Sequence, residues 1–445
     1  MSTHSRRRHL TSTLVAALAA TLVALPALPA SASPTPPTQK DFLPAGAMPW
    51  WQDALVDASG NLVTYSENYS PAGWELTLAI TTSAGVKTRQ SPLAFRPSSM
   101  VPAPGDGVLL LDSKKKDGVW ASEVFLLDTS GSGASTVPVP ADTVRIATDG
   151  TGAIATVGAD GSVQVGTVGS GAFRTIGKVT GDVTDVVLRS DGTVYTCGTY
   201  LHRVAGGTAT AMPGETGYCR GIEDDDAHNG AVALWTSGRY VSYRGDGSSV
   251  GYGYLLDDWW NTSIRFGVLS DGDLVVAPDL GKVLYRYDLT TGRAYGVGTA
   301  SRKVPVTNGS KDSKTYRPVF AVGADDSVYV SEDSDDGLTG AVDRFNMDDA
   351  LTPTFEGYPA IIGATLWNTV GPVYPEWSGE VAPSQFIVVS GKLPPSMKVN
   401  PSTGRIEGYP SERGLFTATI AMTRPGGSPI TTTVTIDVES RKSRY

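Results

Sequence analysis

Seven short turns punctuate most of this chain at a nearly regular spacing, and that spacing limits what the chain can fold into more than any other feature. They fall at Gly60 in "DASGNLVTY", Gly107 in "GDGVLLLD", Gly150 in "TDGTGAIATV", Gly192 in "RSDGTVYTC", Gly230 in "AHNGAVALW", Gly272 in "SDGDLVVAP" and Asp326 in "ADDSVYVSE", 38 to 54 residues apart. Each stands between two short apolar runs, the pattern of a tight hairpin. A period near forty residues, with room for four short strands per unit, predicts propeller blades. In the most regular unit, "SIRFGVLSDGDLVVAPDLGKVLYRYDLTTGRAYGV", the strands read as 263–270, 273–278, 282–289 and 293–297. The expected fold is all-β: a seven-bladed β-propeller over 46–357, followed by an Ig-like β-sandwich over 358–439. Six or eight blades stay open, because the end units are the least regular.

Composition agrees. With 51 Gly and 29 Pro in 445 residues, and no helical periodicity beyond the N-terminus, the chain is written for strands and turns. Its length suits two domains. The repeats resemble those of secreted bacterial β-propellers, as in "DGTVY" at 191–195, a resemblance confined to short turns that implies no activity.

The N-terminus reads as an export leader over 1–32. Arg6, Arg7 and Arg8 precede the apolar run "LTSTLVAALAATLVALPAL", and the small residues Ala30 to Ala32 offer a cleavage site. Ser5, Arg6, Arg7 and Leu10 resemble a twin-arginine export motif, with His9 where an aromatic is usual, so both export routes are open. The Pro-rich "SPTPPTQ" opens a linker over 33–45, where an anchor would need about 20 apolar residues with no cleavage site behind them. No later stretch is apolar enough to span a membrane. The expected location is secreted, extracellular or associated with the cell wall. The net charge of −9 becomes −12 without the three leader arginines, which is poorly suited to nucleic acid. Two cysteines in an exported chain, without Cys-x-x-Cys spacing, predict a Cys197–Cys219 disulfide.

From about Tyr358 the forty-residue period breaks. Leu393, Pro394, Met397, Val399, Asn400, Thr403, Gly404, Ile406, Gly408, Pro410 and Gly414 follow the pattern of the bacterial putative-Ig family, a cadherin-like sandwich, and this stretch resembles that family; Tyr409 stands where the family usually has Thr. Alternation supports the same fold. Phe416, Ala418, Ile420 and Met422 read as inward, and Thr417, Thr419, Ala421 and Thr423 as outward. Val434, Ile436 and Val438 repeat the pattern after the "RPGGSP" turn. Such a module is expected to fold on its own core. Some cadherin-like relatives bind calcium, but Glu380, Glu407 and Glu412 are scattered; calcium is the one cofactor considered, and no cofactor or metal site is assigned.

In a propeller, the loops entering first strands and those joining second to third strands gather at the channel mouth. Aromatics collect in those places: Trp50, Trp51, Trp259 and Trp260 before first strands, Tyr316 with Arg317 before another, and Trp120 and Tyr200 from second-to-third loops. With Asp257 and Asp258 they form the candidate ligand-binding set, since flat rings stack on sugars and polar groups read hydroxyls. The bland alternative is packing between blades. Catalytic residues are not assigned. His202 and His228 fall at opposite ends of the strands, and no Gly-x-Ser-x-Gly elbow is present. Acidic runs such as Glu223 to Asp226 and Glu332 to Asp336 leave a carboxylate pair open. The expected function is binding of an extracellular glycan or cell-surface polymer, the Ig-like module serving as spacer or second contact. Two alternatives stand beside it: a polysaccharide-active hydrolase or lyase using channel carboxylates, and a structural envelope component.

Overall fold

A computed structural model describes residues 38–43, 51–70, 73–128, 134–213, 218–255, 264–277, 284–297, 320–331, 341–358, 362–367, 373, 375–380, 385–423 and 428–439. The protein is all-β among them, apart from one 3-10 turn at Met347–Leu351. Among the described residues no helix is long and apolar enough to cross a membrane.

Five four-stranded antiparallel sheets follow one another along the chain, each built in sequence order. The first begins with Trp51–Val56, the second with Ser99–Pro102, the third with Thr143–Thr148, the fourth with Val183–Leu188 and the fifth with Cys219–Asp225. A sixth begins with Arg265–Val268 and runs through Leu274–Ala277 and Leu284–Asp288 to Arg293–Val297. The seventh takes Phe320–Val322, Ser327–Ser331 and Val342–Asn346 from late in the chain and Gln39–Leu43 from its beginning.

Every one of the seven turns read from the repeat lies between the first and second strands of its sheet, or opens the second. The chain reverses there in a left-handed conformation. Gly60, Gly150, Gly192 and Gly272 have φ between 72° and 88°, as glycine tolerates at no steric cost, and Asp326 has φ 59°.

Alternation along each strand makes both faces of these sheets apolar, so each packs on two neighbours. Leu78 and Val108 join the first sheet to the second, Leu109 and Ile154 the second to the third, and Val157 and Val186 the third to the fourth. Tyr195 and Tyr243 join fourth to fifth, Val232 and Tyr287 fifth to sixth, Val275 and Val328 sixth to seventh, and Tyr329 and Leu62 return from seventh to first. The seven first strands touch in the same order, with Phe320–Val322 meeting Trp51–Val56. Cys197 and Cys219 form the expected disulfide, with Cα atoms 5.4 Å apart and both residues buried. It ties the end of a second strand in the fourth sheet to the start of the fifth.

The C-terminal module is a sandwich whose one sheet is ordered Ile362–Thr365, Ile430–Glu439, Gly414–Thr423, Gln385–Gly391. Its inward residues agree with the alternation: Phe416, Ala418, Ile420, Met422, Val434, Ile436 and Val438 are buried. Ala421, read as outward, is buried as well, because its short side chain lies in register between Ile387 and Thr431, which overtop it. The expectation of a self-contained core is not met. Glu376–Glu380 pairs on one side with Thr354–Gly357 and on the other with Arg293–Val297, so the module's second sheet continues the sixth sheet of the body. One apolar cluster accordingly runs from Tyr240, Tyr287 and Leu289 through Trp377 and Phe386 to Ile420 and Ile436. An exposed sheet edge needs a cover, and the module supplies it.

Candidate functional site

Most of the aromatic set expected at the mouth falls outside the described residues: Trp50, Asp257, Asp258, Trp259, Trp260, Tyr316 and Arg317. For Trp51 only the backbone is described, at the head of the first sheet's first strand. Trp120 and Tyr200 are described. Trp120 is half-buried beside the hairpin joining the second and third strands of the second sheet, with Lys115 Nζ 5.8 Å from its ring centre. Tyr200 occupies the equivalent turn of the fourth sheet and is exposed. The two histidines stay apart: His202 Nε2 lies 3.5 Å from Thr180 Oγ1, and His228 Nδ1 lies 2.9 Å from Asp225 Oδ2.

What the structure does bring together is a set of charged side chains on the first strands. In the first, third, fourth and fifth sheets that strand carries a register irregularity, at Trp51/Asp53, Thr143/Arg145, Val183/Asp185 and Cys219/Gly221. A bulge re-aims the side chain that follows it. Three of these positions are charged, and the glycine makes room: a Cβ at Gly221 would stand 2.8 Å from the Phe266 ring and 3.4 Å from Asp185 Oδ2. Asp185 thereby reaches across sheets. Its Oδ2 accepts the Ile222 N–H of the fifth sheet at 3.0 Å, and its Oδ1 accepts the Val186 N–H at 2.9 Å. Arg145 Nε in turn donates to the Thr184 carbonyl at 2.7 Å. Asp53 Oδ1 accepts from the Ala54 N–H at 3.0 Å, as Asp185 does from Val186.

Electrostatics links groups from five sheets. Burial pushes the Asp185 carboxyl up to about 6; the two amides and Arg145 oppose that, and the charge of Asp53 adds to it. Glu223 is pushed well above the ordinary carboxylate range, by burial first and then by Asp185 and Asp224, while Arg265 pulls the other way and Asp53 pushes further. Asp185 thus senses Arg145 and Asp53, and Glu223 senses Asp185, Arg265 and Asp53, although their sheets are not all neighbours. All five stay half-buried rather than sealed.

Two other polar clusters are structural. Arg189 is buried and held by Asp224, by Asn229 Oδ1 at 2.9 Å and by the Gly230 carbonyl, so it staples the turn of the fifth sheet to the fourth. Ser242 Oγ donates to Asp225 Oδ2 at 3.1 Å, which leaves Asp225 between serine and histidine with no serine–histidine contact. A nucleophile needs its base adjacent, so this trio is no triad.

A pH test separates the central carboxylates from their surroundings. Native Asp185 keeps its proton up to about 6, whereas an unfolded chain releases it near 3.8, so between those values the native state binds more protons and stability attributable to the group falls as pH rises. Glu223 acts in the same direction. Asp185→Asn and Glu223→Gln are therefore expected to gain thermal midpoint relative to the parent on going from pH 4 to pH 7. A parent–variant difference that stays constant over that range would refute the assignment.

The sequence reading had Glu223 within an acidic run but passed over Asp53, Arg145, Asp185 and Arg265. A signal was there. Each stands four positions before the residue whose N–H closes the first turn of its sheet, namely Asp57, Asp149, Arg189 and Leu269, inside strands that are otherwise largely apolar.

Among known proteins, residues 353–439 match the family described as Putative Ig domain (He_PIG), so the C-terminal module is Ig-like, and the match takes in the strand Thr354–Gly357 that pairs with Glu376–Glu380. No curated protein matches the chain.

Proposed function

We propose that the chain is an exported binding protein in which a seven-bladed propeller recognises an extracellular glycan or cell-surface polymer at its central channel, with the Ig-like module braced against the sixth blade. The blade reading rests on the closed order of contacts among seven first strands and on the N-terminal strand that completes the seventh sheet. The functional reading is carried by one observation: Asp53, Arg145, Asp185, Glu223 and Arg265 converge from five sheets and remain half-buried. Carboxylates and guanidiniums held in fixed positions by neighbouring backbone suit the hydroxyls of a polyol. A glycan array probed with the exported protein, repeated with Asp185→Asn and Glu223→Gln, tests this. Hits that weaken at least tenfold in the variants are expected, since Asp185→Asn removes a charged acceptor and Glu223→Gln removes the hydroxyl donor of a protonated carboxyl. Hits indifferent to both changes would place recognition elsewhere.

One observation favours a polysaccharide hydrolase as the second reading. Glu223 retains its proton beside carboxylates, as a general acid must, and divergent environments for neighbouring acids are how such enzymes divide acid from nucleophile or base. Product analysis of any polymer that binds decides between them: fragments released by the parent and not by Glu223→Gln would replace binding by hydrolysis.

A further inference from the structure

Five tyrosines are exposed among the described residues, and four of them, Tyr200, Tyr218, Tyr252 and Tyr254, belong to the fourth and fifth sheets. The disulfide brings the first two together. Tyr200 lies three residues after Cys197 and Tyr218 immediately precedes Cys219, so the bridge clamps the turn of the fourth sheet against the entry to the fifth. The Tyr218 carbonyl then accepts the Thr236 N–H at 3.0 Å, which sets it beside the turn leading to Arg239. Arg239 pairs with Tyr254, and Val241 with Tyr252, in the outermost strand of the fifth sheet, Ser249–Tyr254.

That strand reads "SVGYGY", and its alternation divides two tasks. On one side glycine permits close packing: a Cβ at Gly253 would stand 2.2 Å from the Tyr240 hydroxyl, and one at Gly251 would stand 2.9 Å from the Leu289 carbonyl of the sixth sheet. On the other side Tyr252 and Tyr254, 67% and 57% exposed, share the face of Val241, which packs toward the fourth sheet. Two residues along a strand separates their Cα atoms by roughly 7 Å. The Arg239 guanidinium lies 4.7 Å from the Tyr252 ring centre and fixes that ring; its Nε has no hydrogen-bond partner among the described residues.

We infer that these four tyrosines, with Arg239, form a track that binds an extended glycan chain from the entry of the fifth sheet outward to its edge. The inference rests on the glycan-binding reading and deepens it, since it specifies a polymer laid along a surface rather than a small sugar in a pocket. Tyrosine rings offer flat faces to sugar C–H groups and phenol hydroxyls to their oxygens. Exposing them in water gains the fold nothing.

Affinity electrophoresis of the exported protein through gels containing xylan, laminarin or polygalacturonate tests it. The parent is expected to be retarded by at least one polymer, and the corresponding free disaccharide added to the gel should not relieve that retardation. Tyr252→Ala with Tyr254→Ala should weaken that retardation about tenfold or more, and Tyr200→Ala should weaken it separately. The thermal midpoint should be unchanged in these variants, because the rings are exposed. Equal retardation of parent and tyrosine variants, with loss in Glu223→Gln, would overturn the track and leave the channel reading standing. A parent retarded by none of the three polymers would overturn both, and full relief of the retardation by the free disaccharide would overturn the extended chain alone.

Discussion

Replacing Trp377 with Ala is expected to lower the stability of the propeller-proposed body and the Ig-like module together, by about 3–5 kcal/mol. Trp377 is buried in the strand that joins the two, with the Phe386 ring 5.6 Å away, and it sits in the same apolar cluster as Tyr287 and Leu289 of the body. The loss should spread because the strand pairs with Arg293–Val297 on one side and Thr354–Gly357 on the other. Hydrogen exchange measured by mass spectrometry is the suitable probe: protection should fall in 284–297 as well as in 414–439. Loss confined to 354–439 would show two separate cores. For the same reason a chain truncated before Thr354 should be unstable, since it would leave the edge of Arg293–Val297 unpaired and the cluster open to water.

Removing the disulfide has the second large effect. Cys197 and Cys219 are 22 residues apart, and closing a loop of that size restrains the unfolded chain by about 3 kcal/mol. Both sulfurs are buried, so paired Ala substitution also leaves a small void, and denaturant melts of the double variant should show a lower midpoint and a steeper slope, because the unfolded chain without the crosslink exposes more surface. The effect on binding is a distinct expectation. With the clamp gone, the turn bearing Tyr200 and the entry bearing Tyr218 are held by hydrogen bonds and by the packing of Leu201, without a covalent tie, and polymer retardation should fall further than it does in Tyr200→Ala alone. Unchanged stability after substitution would refute the restraint.

The periodic turns were legible because a hairpin imposes local demands: a left-handed residue at the turn and apolar alternation on each side are both written within a dozen residues. So was the disulfide, which needed only two cysteines without metal-ligand spacing, and so was the Ig-like module, whose turn prolines and glycines stand in a recognisable order. Glu223 could be noticed only as part of an acidic run, because nothing in "EDDDAHNG" tells a solvated turn from an inward strand.

Convergence was illegible for a physical reason. Asp53, Arg145, Asp185 and Arg265 are spread over more than two hundred residues, and a carboxylate's surroundings depend on which strands stand opposite it, which no local pattern records. The shared core of body and module was hidden in the same way: "EWSGE" reads as one strand of a sandwich, and only the pairing of Glu376–Glu380 with Arg293–Val297 turns it into the seam of a six-stranded sheet. By itself, then, the sequence determined the strands, their turns, the cysteine pair and the C-terminal family, all set by short-range sterics and alternation. The tertiary structure alone decided which charges meet and where one core ends, because burial and Coulomb interactions depend on distance in space rather than along the chain.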